Sequence, residues 1–133
     1  MLFRSVLRFA FCLSFPRATE NLRWGEELCF KVGGKLFAVV GLGSVPQRIT
    51  FKCSPETFAE LTEQEGIAPA AYVGRYKWVT LEHLDVLPES DFRDAISQSY
   101  KMVAAKAKLA KGRAHTRPLA TSYFLVRMQV PDT

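Results

Sequence analysis

Four sets of residues have types and spacing that suit chemistry. Asp85, Glu89 and Asp91 form a carboxylate cluster of the kind general acid–base catalysis uses, but they flank the start of a helix, where acids favour the macrodipole. Cys53, in "KCSP", stands where a helix N-terminus would lower a thiol pKa, yet its strand alternation points it inward as a small hydrophobe. Gly41-x-Gly43 in "GLGSVP" has the glycines of a phosphate loop, but Pro46 takes the third position and no helix opens there. The fourth set is cationic. Lys31 and Lys35 straddle a glycine pair, Arg48 and Lys52 alternate on one strand, and Arg75 and Lys77 precede Trp78. Cations interleaved with an aromatic suit a polyphosphate surface, because ammonium and guanidinium groups meet phosphates and a flat ring can stack. The bland reading is that these cations keep an exposed sheet face soluble while Trp78 covers Leu36 and Ala38.

No Ser-x-x-Lys, Gly-x-Ser-x-Gly or His-Glu-x-x-His motif occurs. His83 and His115 are far apart, and Cys12, Cys29 and Cys53 lack metal-type spacing. The expectation is a non-catalytic protein with no metal and no cofactor. An odd number of cysteines without a disulfide pattern fits a reducing compartment, so a cytoplasmic location is expected.

The elements that must position the cations follow from periodicity. "LCFKVGGKLFAVV" reads as a hairpin with Gly33-Gly34 as a two-residue type I′ turn, pairing Val32 with Lys35, Phe30 with Phe37 and Leu28 with Val39. Cys29, Lys31, Leu36 and Ala38 then share the other face. "RITFKC" is the next strand, with Ile49, Phe51 and Cys53 inward and Arg48, Thr50 and Lys52 outward. Ser54 caps a helix that begins at Pro55, buries Phe58 and Leu61 and stops at Gly66. "IAPAAYVGRY" reads as an irregular connection, and "KWVTLE" as a strand with Trp78 and Thr80 outward. The longest helix carries Phe92, Ile96, Tyr100 and Val103 at sheet-packing spacing and ends near Gly112. "SYFLVRMQV" reads as a possible last edge strand.

The N-terminal stretch before Glu20 contains arginines and no acid. A mitochondrial presequence shares that pattern, but an amphipathic first helix with Phe3, Val6, Leu7, Ala10 and Leu13 on one face is preferred. No run approaches the roughly 18–20 apolar residues of a membrane span. The formal net charge is +5 over 133 residues. Residues 1–94 hold 11 Lys and Arg against 12 Asp and Glu, whereas residues 95–133 hold 7 against one. The excess therefore sits in the C-terminal part, a modest signal for polyanion binding.

"CLSFPRATEN", "FKVGGKLFAVV", "ITFKCSPE", "YKWVTLE" and "FRDAISQSYKMVAAK" together resemble the MmcQ/YjbR family of small bacterial proteins, in order and spacing from about Leu7 to Lys111. The resemblance implies a YjbR-like α+β fold, akin to secretion-chaperone-like and CyaY-like two-layer domains. It also implies DNA binding by a double-wing arrangement, with the Lys31–Lys35 hairpin as one wing and Arg75 to Trp78 as a candidate second. Two departures stand out. Lys77 occupies the position before the tryptophan where many members have histidine, and Thr116–Thr133 lies outside the family pattern.

The combined expectation is an α+β two-layer domain over 1–112, its antiparallel sheet covered by helices on one face, with a basic extension over 113–133. Its expected ligand is double-stranded DNA, held by Lys31, Lys35, Arg48, Lys52, Arg75, Lys77 and Trp78. The alternative is a chaperone-like adaptor that takes a protein partner on Cys29, Leu36, Ala38 and Trp78. No membrane is involved in either.

Overall fold

Gly33 and Gly34 have φ of 61° and 81°, the left-handed pair that a type I′ turn requires and that side chains resist. They close a hairpin of β2 (Glu27–Val32) and β3 (Lys35–Gly41) at the centre of a six-stranded antiparallel sheet. The computed structural model describes residues 2–23 and 25–113, with side chains over 5–23 and 25–107. The remaining strands are β1 (Ala18–Arg23), β4 (Arg48–Lys52), β5 (Ile67–Pro69) and β6 (Trp78–Leu81), in the order β1-β2-β3-β4-β6-β5. Three helices, α1 (Leu2–Leu13), α2 (Pro55–Leu61) and α3 (Glu89–Arg113), pack on one face. This is the expected α+β architecture.

The hairpin register is as read only near the turn. Val32 faces Lys35 and Lys31 faces Leu36, but beyond them Phe30 faces Ala38, Cys29 faces Val39 and Leu28 faces Val40. A β-bulge accounts for the shift. Phe37 is the extra residue, and a bulge sets two successive side chains on one side. Phe37 and Ala38 therefore both enter the core beneath the helices, while Leu36 and Val39 lie on the opposite face. Phe30 and Phe37 are not directly paired, yet both are buried in that core with ring centroids 6.4 Å apart.

Ile49, Phe51, Cys53, Val79 and Leu81 fill the same core from β4 and β6, and Phe92, Ile96 and Val103 of α3 cover them. Ser54 caps α2 as expected, its hydroxyl accepting from the Thr57 amide at 3.2 Å. That helix is shorter than expected: the chain turns away after Leu61, with Thr62 as C-cap and Gly66 at φ +89°. Helix α3 runs through Gly112 to Arg113, and the expected C-terminal strand lies outside the described residues.

Helix α1 forms, but its buried face differs from expectation. Val6, Leu7 and Leu13 are exposed, and Arg8 and Cys12 face inward with Phe9, Phe11 and Phe15 packed alongside. A guanidinium takes the central position because the 84–87 loop supplies what it needs. Arg8 donates to the carbonyls of Leu84 and Leu87, lies 3.3 Å from a Glu89 carboxylate oxygen, and sits 4.4 Å from the Phe92 ring centroid. Buried charge is tolerable only when paired and hydrogen-bonded in this way.

Candidate functional site

With all three helices on one face, the described residues cover the other only at one end. Alternation and register place three rows of side chains on that open face. Asn21, Cys29, Val39, Thr50, Thr80 and Ala68 run across its middle. Thr50 and Thr80, a direct cross-strand pair, join hydroxyls at 2.8 Å. Toward one edge the row is Arg23, Glu27, Gly41 and Arg48; toward the other it is Thr19, Lys31, Leu36, Lys52 and Trp78. Of these strand residues the sole acid is Glu27, which Arg23 holds at 2.8 Å. Lys31, Arg48 and Lys52 have no carboxylate within ion-pair distance among the described residues, although Glu82 follows β6 at the Arg48 end.

The segment 70–77 folds over the Lys52 end of this face. Ala70 and Val73 pack on Leu36, Cys29 and Trp78, closing a second small core. Trp78 is only 4% exposed, so its ring is unavailable for stacking on a ligand. Lys52 reaches along it, its ammonium 6.0 Å from the indole. The residues exposed on the covering segment are Ala71, Tyr72 (81%), Arg75 and Tyr76 (52%), with the Arg75 guanidinium 4.9 Å from the Tyr76 ring. Tyr72 holds φ at 68°, unusual for a bulky side chain. Sequence reasoning missed both tyrosines. Their signal was two aromatics in a glycine- and alanine-rich connection with little apolar material to bury them.

The seven cationic and aromatic candidates thus divide. Lys31, Arg48 and Lys52 share the open face, and Arg75 stands on the segment above it. Lys35 shares the face of Val32, on the helix side, with its stem almost fully buried. Lys77, in the left-handed conformation at φ 72°, turns its ammonium to 5.0 Å from the Phe58 ring of α2. Trp78 is on the open side but inside the second core. The hairpin tip is no free projection: a Cβ on Gly33 would come within 2.5 Å of Ala107 Cβ on α3.

The remaining candidates are structural. Asp85 and Glu89 face Arg8, at 4.0 and 3.3 Å, and Glu89 also holds Arg93 at 2.8 Å. Burial pushes the Cys53 thiol up to about 12, the opposite of an activated nucleophile. No group of three or more potential metal ligands occurs among the described residues, and none of their helices is long and apolar enough to cross a membrane. A groove of about 260 Å³ between α2 and α3 is lined by Glu60, Asp91 and Asp94 among others, so this groove is acidic where the open sheet face is basic.

Comparison with known proteins agrees with this architecture. The YjbR family model matches residues 13–102. A crystal structure of a Deinococcus radiodurans protein with a DUF419 domain is similar at 27% identity and a TM-score of 0.66, over 75% of this chain and 77% of that one. A Pseudomonas syringae protein, 18% identical, shares the fold with a TM-score of 0.60 over 75% of this chain and 97% of that one. No curated protein matches. With two-thirds of its length inside the family model, the chain belongs to the YjbR family.

Proposed function

We propose that this protein binds double-stranded DNA on the open face of its sheet. The observation that supports the reading is the charge of that face: Lys31, Arg48 and Lys52 have no carboxylate partner among the described residues, and the one acid in its strand rows is engaged by Arg23. Such a face attracts phosphates of any sequence, since backbone contacts position a duplex and do not read it. Arg75, Tyr72 and Tyr76 form a raised rim beside the cations, and the exposed tyrosines take the aromatic role that buried Trp78 cannot. The acidic groove between α2 and α3 would itself repel phosphates. The adaptor reading has less support. Cys29, Leu36 and Trp78 are covered by the chain's own 70–77 segment, and Ala38 belongs to the core on the other face. The test is a duplex titration at several salt concentrations with Lys31→Gln/Arg48→Gln beside the wild type.

A further inference from the structure

The chain between β5 and β6 takes a path that two adjacent antiparallel strands do not need. Pro69 and Val79 are already paired across the ladder, yet residues 70–77 leave the sheet edge and run back over its open face. The Ala70 amide bonds to the Trp78 carbonyl at 2.9 Å and closes the neck of the loop. Within it the Tyr76 and Lys77 amides reach the carbonyls of Val73 and Gly74 at 3.0 and 2.9 Å. Gly74 is seated against β5, where a Cβ would come within 2.9 Å of Pro69 Cβ. A loop closed at its neck and bonded within itself is an Ω-loop, a form that is frequently functional.

The tip of the loop is strained in one place. Val73 donates to the carbonyl of Ala71 at 2.7 Å across Tyr72, whose φ is 68°. This is the rarer γ-turn, with positive φ at its central residue, and glycine would adopt it more readily than tyrosine. Packing does not offset the strain. Tyr72 is 81% exposed and its side chain meets no hydrogen-bonding or ring partner among the described residues, while its neighbour Val73 is buried in the second core. The turn thus holds an aromatic ring out in solvent at a conformational cost, a pattern that points to binding.

The surroundings of that ring are cationic. No acid occurs from Ile67 to Leu81, and Arg75 stands three residues on. Val73 packs in the cluster of Leu36, whose direct cross-strand neighbour is Lys31. A ring displayed among cations suits a flat partner that carries phosphate. In a paired duplex both faces of a base are taken by its neighbours, whereas an unpaired base is easily unstacked and has a face to offer.

We infer that Tyr72 stacks on an unpaired base of DNA, so that a duplex interrupted by such a base is the preferred ligand of the open face. The inference rests on the DNA reading above: the cations hold the backbone, and Tyr72 adds a contact that only an unstacked base can make.

The test compares three DNAs at one salt concentration: a fully paired duplex, the same duplex with one unpaired bulge base, and that bulge made abasic. The wild type should bind the bulged duplex about tenfold more tightly than the paired one, as a single stacked base provides. The abasic bulge should bind no more tightly than the paired duplex. Tyr72→Phe, which keeps the ring, should keep the preference. Tyr72→Gly should reduce the ratio to about one, and its thermal midpoint should not fall, because glycine takes the positive φ without strain. Lys31→Gln/Arg48→Gln should weaken binding to all three DNAs and leave the ratio as it is. The inference is overturned if the wild type binds paired and bulged duplexes equally, an outcome that leaves the sheet-face reading standing. It is overturned also if the abasic bulge gains as much as the base, which would make DNA flexibility the cause, or if Tyr72→Gly keeps the ratio. A wild type that binds none of the three contradicts the DNA reading itself, and this inference with it.

Discussion

Ser99 Oγ donates a 2.7 Å hydrogen bond to the carbonyl of Phe37, 62 residues earlier in the chain, and so ties α3 to the bulged strand. The same hydroxyl receives the Lys52 amide, so one fully buried side chain satisfies two backbone groups where the ladder has ended. Ser99→Ala leaves the Phe37 carbonyl and the Lys52 amide without this partner. The expected loss is about 1–3 kcal/mol in urea unfolding, the usual penalty for buried polar groups left unmade. A loss within about 0.5 kcal/mol, typical of an indifferent surface substitution, would show that water replaces the hydroxyl.

Tryptophan and tyrosine should separate in their effects. Trp78→Ala removes the centre of the second core and should cost about 3–5 kcal/mol. Tyr76→Ala, at an exposed position beside Arg75, should leave stability within about 0.5 kcal/mol. It should nevertheless weaken DNA binding by a factor that salt does not change. Equal stability losses for the two would mean that the 70–77 segment packs differently in solution.

Alkaline pH should destabilise the fold through its thiols. Burial holds Cys12 and Cys53 at about 12 in the folded chain, against an ordinary 9.0. Cys29 moves the same way, burial outweighing Arg23 and Lys31. A group raised on folding contributes stability that is whole below its unfolded pKa and is lost as pH rises through the folded one. Between pH 9 and 12 Cys12 and Cys53 should each remove about 1.4 kcal/mol per pH unit. Lys35 and Lys52, lowered on folding, act oppositely: their charged forms are penalised, so stability recovers as pH approaches their ordinary 10.5 from below. Denaturant midpoints from pH 8 to 11 should therefore fall more steeply in Lys35→Met than in the wild type. Cys12→Ala should flatten the fall, and no change in slope would contradict the assignment.

The layers of this fold were legible in the sequence because its central strands and α3 have clear periods. Where legibility failed, a specific competing effect was present. "LFAVV" is apolar at every position from Leu36 to Val40, so alternation could not reveal that Phe37 is bulged and that Ala38 and Val39 exchange faces. The polar edge strand β1, "ATENLR", is exposed on most of its residues and has no apolar face to announce it. Helix α1 is docked through Arg8, whose partners are carbonyls 76 and 79 residues away, and no hydrophobic stripe encodes such a contact. The cations of the candidate site were found by type and alternation, which placed Lys31, Arg48 and Lys52 on one face. The burial of Trp78 was not, because it depends on Ala70 and Val73 of a connection without periodicity.

The central claim is that the open sheet face binds duplex DNA through phosphates, and one titration tests it most directly. Binding of an unrelated pair of duplexes should be measured between roughly 50 and 200 mM salt for the wild type and for Lys31→Gln/Arg48→Gln. The wild type should bind both duplexes alike, with affinity falling linearly on a log–log plot. The variant's slope should be smaller by about 0.9 for each phosphate that the protein no longer neutralises. Unfolding stability should be nearly unchanged, since Arg48 is exposed and Lys31 partly so. A wild type that binds neither duplex at the lowest salt, or a variant with the wild-type slope and affinity, would contradict the account.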